Sequence, residues 1–180
     1  MRPTTIAPTG VERSFGRGEV IVSKTDLQGR LTYTNDVFCR VAAYAESDLL
    51  GRPHNVIRHP AMPGSVFKLL WDTIERGQEI FAYVLNLAGD GAHYWVLAHV
   101  TPSFDRTGTL VGHHSNRRLP ARGAVREVEP LYQTLLAEER RHSSGPQAAV
   151  AGLDLLQRLL DEQGATYDEW VWDVTNRHAA

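Results

Sequence analysis

Between Ile80 and Arg117 the chain carries three stretches dense in β-formers, Ile80 to Leu87, His93 to Phe104 and Thr109 to Arg117. They are joined by turns built on Gly89-Asp90-Gly91 and Asp105-Arg106-Thr107-Gly108. Connections this short allow only antiparallel neighbours, because a parallel pair needs a crossover of a dozen or more residues. A three-stranded antiparallel meander is therefore the least avoidable feature of the fold. Its apolar face demands cover from elsewhere in the chain.

The cover is found upstream. Val20-Ile21-Val22 and Arg30-Leu31-Thr32-Tyr33-Thr34 flank the turn chemistry of Asp26-Leu27-Gln28-Gly29, which predicts a hairpin. Asn35 and Asp36 stand in N-cap positions before Val37, Phe38, Val41 and Ala42 at helical spacing, predicting a short helix to about Tyr44. Ser47 to Gly51 reads as a single capped turn, and Pro53, Pro60 and Pro63 hold the following stretch to short helical turns and loop. From Gly64 to Arg76, Val66, Phe67, Leu70, Trp71 and Ile74 recur at three and four until Gly77 ends the pattern, giving the clearest helix of the first half.

The order β-β, short helices, β-β-β predicts an α+β fold: a five-stranded antiparallel sheet with short helices on one face. After Pro120 the pattern changes to helices, one marked by Val128, Leu131, Leu135 and Leu136 and one by Val150, Leu153, Leu156, Leu159 and Leu160. A short third carries Tyr167, Trp170, Val171 and Val174. The expected division is a flexible segment over 1–18, a sheet-and-helix domain over 19–119 and a helical extension over 120–180. The segment from Val125 to Leu160 is expected to serve as a partner surface; the alternative is that its helices fold back over the outer face of the sheet.

A formal net charge of -2 over 180 residues gives no positive field to hold nucleic acid or an anionic membrane. No stretch approaches the ~20 apolar residues of a membrane span, and Met1 to Gly10 lacks the apolar core of a signal peptide. Cys39 is the only cysteine, which rules out an intrachain disulfide and fits a reducing compartment. The expected location is the cytoplasm, with Cys39 a small buried hydrophobe. The eight histidines show no HExxH spacing, and no metal site or catalytic residue is expected.

Five stretches carry a resemblance: Thr25-Asp26-Leu27-Gln28, Thr34-Asn35-Asp36-Val37-Phe38, Gly51-Arg52-Pro53-His54-Asn55, Arg58-His59-Pro60-Ala61-Met62-Pro63 and His93-Tyr94-Trp95-Val96. In them the chain resembles the PAS domains of bacterial aerotaxis receptors, over about half its length. The resemblance implies the PAS fold, bound FAD, and a redox or oxygen signal passed by a homodimer to a receptor or kinase pathway rather than catalysis. It also implies a flavin pocket formed by Asn35, Arg58, His59, Trp71, Asn86 and Tyr94. Two positions depart from the family: Ala61 follows His-Pro where an acidic residue is usual, and Ile80 stands where tryptophan is usual, with Phe81 the neighbouring stand-in. On residue chemistry alone, Asn35 reads equally as an N-cap and Trp71 as core. A haem-binding PAS domain with a histidine axial ligand, and a cofactor-free dimerisation scaffold, are the alternative functions.

Overall fold

The computed structural model describes residues 6–179. Five strands, β1 (Ile21–Thr25), β2 (Leu31–Thr34), β3 (Ile80–Leu87), β4 (His93–Phe104) and β5 (Leu110–Arg118), form one antiparallel sheet in the order β2-β1-β5-β4-β3. Between β2 and β3 run α1 (Asp36–Ala42), α2 (Glu46–Leu49), a 3₁₀ turn (His54–Ile57) and α3 (Gly64–Glu75). Helices α4 (Arg122–Glu139), α5 (Gly145–Glu162) and α6 (Tyr167–Arg177) follow the sheet. The predicted α+β order holds. Helix α1 stops two residues short of Tyr44 because Ala43 turns left-handed at φ 54°.

The pairing register divides the sheet into two faces, since directly opposed residues of antiparallel strands share a side. Asn86 faces Tyr94, Val84 faces Val96 and Ala82 faces Ala98 between β3 and β4. Ala98 faces Arg117 and Val100 faces Ser115 between β4 and β5, and these continue to Ile21 and Ser23 on β1. This inner face is the one covered by the proline-rich loop and α3. The outer face carries Phe81, Tyr83, Leu85, Trp95, Leu97 and His99.

Helices α4 and α6 fold back over that outer face and bury Ala124, Val128, Tyr132 and Leu135 of α4 and Trp170, Val171 and Val174 of α6 in the same core as the strands. The Tyr132 hydroxyl donates to the Tyr83 carbonyl at 2.6 Å, and the Tyr83 hydroxyl pairs with Thr175 at 2.8 Å. Helix α5 adds Leu156 and Leu160 and lies against α3 and α4. Burying such a side chain contributes about 1.5–3 kcal/mol, so the extension is part of the core. Helix α4 thus takes the alternative of folding back over the outer face, whereas α5 lies against α3 and α4 instead. What stays outside includes Val150, 44% exposed, and Trp172, 43% exposed.

The expected flexible segment is fastened over residues 9–15, while residues 1–5 lie outside the described residues. Thr9 N–H donates to the Gly91 carbonyl (2.9 Å), Arg13 N–H to the His93 carbonyl (2.7 Å) and His93 N–H to the Val11 carbonyl (2.9 Å). Arg13 Nη1 reaches the Val41 carbonyl at 2.8 Å, and Phe15 is buried. Cys39, expected as a small buried hydrophobe, is half-buried and packs against the core, with Thr34 Oγ1 at 3.5 Å from its sulfur.

A buried cavity on the inner face of the sheet

A cavity of about 340 Å³ lies between the inner face and the helical cover. That volume is at the lower end of the roughly 300–1,000 Å³ typical of small-molecule sites. Its floor is sheet: Ser23 and Thr25 of β1, Val84 and Asn86 of β3, Ala98 and Val100 of β4, His113, Ser115 and Arg117 of β5. Its roof is His54 and Ile57 of the 3₁₀ turn, Arg58, and Phe67, Leu70, Trp71 and Ile74 of α3. The rim is the β1–β2 turn, where Gly29 takes φ +72° and any Cβ would stand 2.7 Å from the Trp71 ring. Glycine alone permits both the turn and that approach. No Asp or Glu lines the cavity.

Arg117 is the unusual group. It is buried at 4% exposure, donates through Nη2 to Ser23 Oγ at 3.0 Å and to His54 Nε2, and its guanidinium lies 5.5 Å from the centre of the Phe38 ring. Among the described residues no carboxylate pairs with it, and its Nη1 has no partner. Burial pulls its pKa down to about 10, so at neutral pH it remains a cation. Burial, with Arg117 alongside, also holds His54 well below the usual imidazole value, leaving a neutral ring that accepts from Arg117. Three further buried polar atoms along this floor lack partners: Asn86 Nδ2, His113 Nε2 and Ser115 Oγ. Native interiors satisfy such groups, so four orphans around one cavity make it the candidate functional site.

The six residues implied by the resemblance separate. Arg58, Trp71 and Asn86 line the cavity. Arg58 Nη2 donates to the Met62 carbonyl at 3.0 Å and its guanidinium stacks 4.9 Å over Phe67. Trp71 packs edge-on to His113 at 5.6 Å. Tyr94, across from Asn86, shares its face and is buried with an unpaired hydroxyl, but it is not a lining residue. Asn35 spends its amide on backbone: Oδ1 accepts from Phe38 N–H and Val22 N–H at 3.0 Å each, and Nδ2 donates to the Val20 carbonyl at 2.8 Å. It caps α1 from outside the cavity lining. His59 is turned to the opposite side, because the Arg58 backbone bridges to Asn86 and successive side chains of an extended segment diverge. There it meets His93, ring centres 5.9 Å apart, in an outer groove.

Phe81 does not stand in for the family tryptophan; it lies on the outer face, stacked on His99 at 4.1 Å and tilted against Trp172. His54, His113, Ser115 and Arg117 are the residues the sequence reading missed. Strand alternation from Asn86 through its partners would have turned Arg117 inward. Among the described residues no group of three or more His, Cys, Asp or Glu is arranged to hold a metal.

Residues 31–115, which contain both the helical cover and most of the sheet, match the family model described as PAS fold. This part of the chain has the PAS fold. The aerotaxis receptor of Escherichia coli (strain K12) is 39% identical over 117 residues, covering 65% of this chain and 23% of the receptor. The nitrogen fixation regulatory protein of Klebsiella pneumoniae is 25% identical over 147 residues, 82% of this chain and 28% of that protein. This chain thus spans about a quarter of the length of these relatives. Among solved structures, the PAS domain aligns with a light-oxygen-voltage domain studied with a flavin analogue (TM-score 0.55, 18% identity, 64% of this chain and 86% of that one). It also aligns with the dark structure of the blue-light photoreceptor Aureochrome1 LOV (TM-score 0.51, 20% identity, 64% and 81%). At those identities the likeness is one of fold. No helix among the described residues is long and apolar enough to cross a membrane.

Proposed function

We propose that this PAS domain is a flavin-binding sensor module that holds FAD by its isoalloxazine ring in the inner cavity and reports the redox state of the ring to a signalling partner. The observation that carries the reading is the cavity itself: apolar walls, no acidic residue, and four unpaired buried polar atoms led by the Arg117 guanidinium. An isoalloxazine is a flat apolar tricycle with acceptors along one edge. It fits the slot between Leu70, Ile74, Val84, Ala98 and Val100 and gives Asn86 Nδ2 and Arg117 Nη1 the acceptors they lack. A wholly apolar ligand would leave these donors buried and unpaired, at a cost of about 1–3 kcal/mol each. When bound, the flavin supplies reversible electron uptake, and the protein tunes and reads it.

Arg117 offers a fixed positive charge in a dry environment, where it acts strongly on any charge that develops beside it. His54, held neutral by burial and by Arg117, accepts from the guanidinium and so fixes its orientation in the cavity. A change in either group alters the tie from β5 to Ser23 on β1, which is a route out of the cavity into the sheet. The resemblance to aerotaxis receptors supports FAD, a chemotaxis-type receptor or kinase pathway as recipient, a cytoplasmic setting, and action as a homodimer. Val150 and Trp172 are exposed apolar groups available for self-association.

The test is the visible absorption spectrum of purified protein after reconstitution with FAD, compared with Asn86→Ala. We expect oxidised-flavin bands in the wild type. In the variant we expect weaker retention by about 1–3 kcal/mol of affinity, with unchanged circular dichroism. A Soret band, or no uptake of flavin at all, would overturn the reading.

A further inference from the structure

Helix α3 supplies four of the cavity's walls, Phe67, Leu70, Trp71 and Ile74, yet its own N-terminus has no local support. Pro63 is the N-cap residue and gives no side-chain hydrogen bond. The leading amides of a helix need acceptors. Two of them find Glu139, the last residue of α4: Gly64 N–H donates to Oε2 at 2.9 Å and Ser65 N–H to Oε1 at 2.8 Å. A carboxylate at that end also meets the positive pole of the helix.

The surroundings make this contact tight. Helix α5 approaches so closely that a Cβ on Gly152 would stand 2.9 Å from both Ser65 Cβ and Glu139 Oε1. Ser65 is wholly buried there. On the cavity side, a Cβ on Gly64 would lie 3.5 Å from both Arg58 Nη2 and Glu139 Oε2. The Arg58 guanidinium, which lines the cavity, and the Glu139 carboxylate of the extension therefore flank the same backbone residue. The carboxylate's charge also favours the protonated guanidinium against its burial.

We infer that Glu139 is a positioning residue for the cavity: by capping α3 from the C-terminal helices it sets how closely that wall stands over the floor. A ligand that orders α3 then tightens the docking of α4 and α5, and loss of that docking loosens the ligand by the same factor. The positioning role stands on the contacts alone, and the coupling to a ligand rests on the flavin reading above.

The experiment uses the full chain as wild type, Glu139→Ala, Glu139→Gln and Gly152→Ala, measured by amide hydrogen exchange without flavin and by titration with FAD. Without flavin, Glu139→Ala is expected to speed exchange in the first turns of α3 and in residues 150–156 by about tenfold, with β4 unchanged. Glu139→Gln, which keeps one acceptor oxygen, falls between. Gly152→Ala gives the same pattern by wedging α5 away, and so decides the matter if Glu139→Ala fails to fold. With FAD, the alanine variant is expected to bind about tenfold more weakly, and FAD slows exchange over 150–156 only where Glu139 is present. Wild-type exchange rates in α3 and α5 of the variants overturn the positioning role. A wild type that takes up no FAD defeats the flavin reading while the flavin-free measurements still decide the clamp. Flavin affinity unaltered in variants with faster exchange overturns the coupling.

Discussion

The two faces of the sheet are built from alternate residues of the same strands, yet they are finished differently. On the outer face Tyr83 is tied twice: its carbonyl accepts from Tyr132 and its hydroxyl meets Thr175. On the inner face Asn86, His113, Ser115 and Arg117 each keep an unpaired atom, and Arg117 keeps a charge without a counter-ion. The outer face resembles a core optimised for stability. The inner face carries polar groups that stability alone would remove, which is what a ligand site requires.

The contrast is broken most forcefully from the outside. Trp170→Ala removes a buried ring of α6 from the outer core and is expected to cost about 3–5 kcal/mol of unfolding free energy, read from chemical denaturation. A loss below about 1 kcal/mol would mean that α6 is a loose appendage. An inner-face change should run the other way. Arg117→Met replaces a buried unpaired cation by an apolar chain and is expected to stabilise the flavin-free protein by about 1–3 kcal/mol, while abolishing tight FAD uptake. A variant that is both destabilised and fully competent for FAD would show that Arg117 serves the fold and not the site.

The smallest effect is one of pH. His54 is held below its unfolded value, so the folded state binds fewer protons than the unfolded one as pH drops past about 6.5. Its contribution is present in full above that pH and is lost as pH falls from there toward the folded value. His113 and His114 shift in the same direction. The thermal midpoint of wild type should therefore fall more steeply from pH 7 to pH 5 than that of His54→Asn. Parallel curves would show that His54 does not titrate on unfolding.

The framework was legible because its signals are local. Glycine turns at Gly91 and Gly108, the cap at Asn35 and the stripe on α3 each act within a few residues. The cavity lining was half legible. Asn86, Arg58 and Trp71, named from the sequence, do line it, but Arg117 sits beside Arg118 and reads as a solvated pair at a strand end. Only the register against Ala98 and Ile21 turns the first inward and leaves the second exposed. His59 lies outside the cavity for the converse reason: nothing in the loop sequence says which way it points, and the backbone bridge from Arg58 to Asn86 turns it to the outer groove. The return of α4 to cap α3 spans 75 residues, beyond the reach of any local pattern.

The fastening of residues 9–13 to the β3–β4 turn bears on the order of assembly. Thr9 and its acceptor Gly91 are separated by 82 positions, so the segment leaves the ribosome long before its binding place exists. Closing so long a loop is entropically slow, and such contacts form after local ones. The hairpins and short helices can settle first, with the strap arriving last across the β3–β4 turn and onto the Val41 carbonyl of α1. The segment thus acts as a closing stitch over two elements that Gly89 N–H already joins through the Ala42 carbonyl at 2.8 Å.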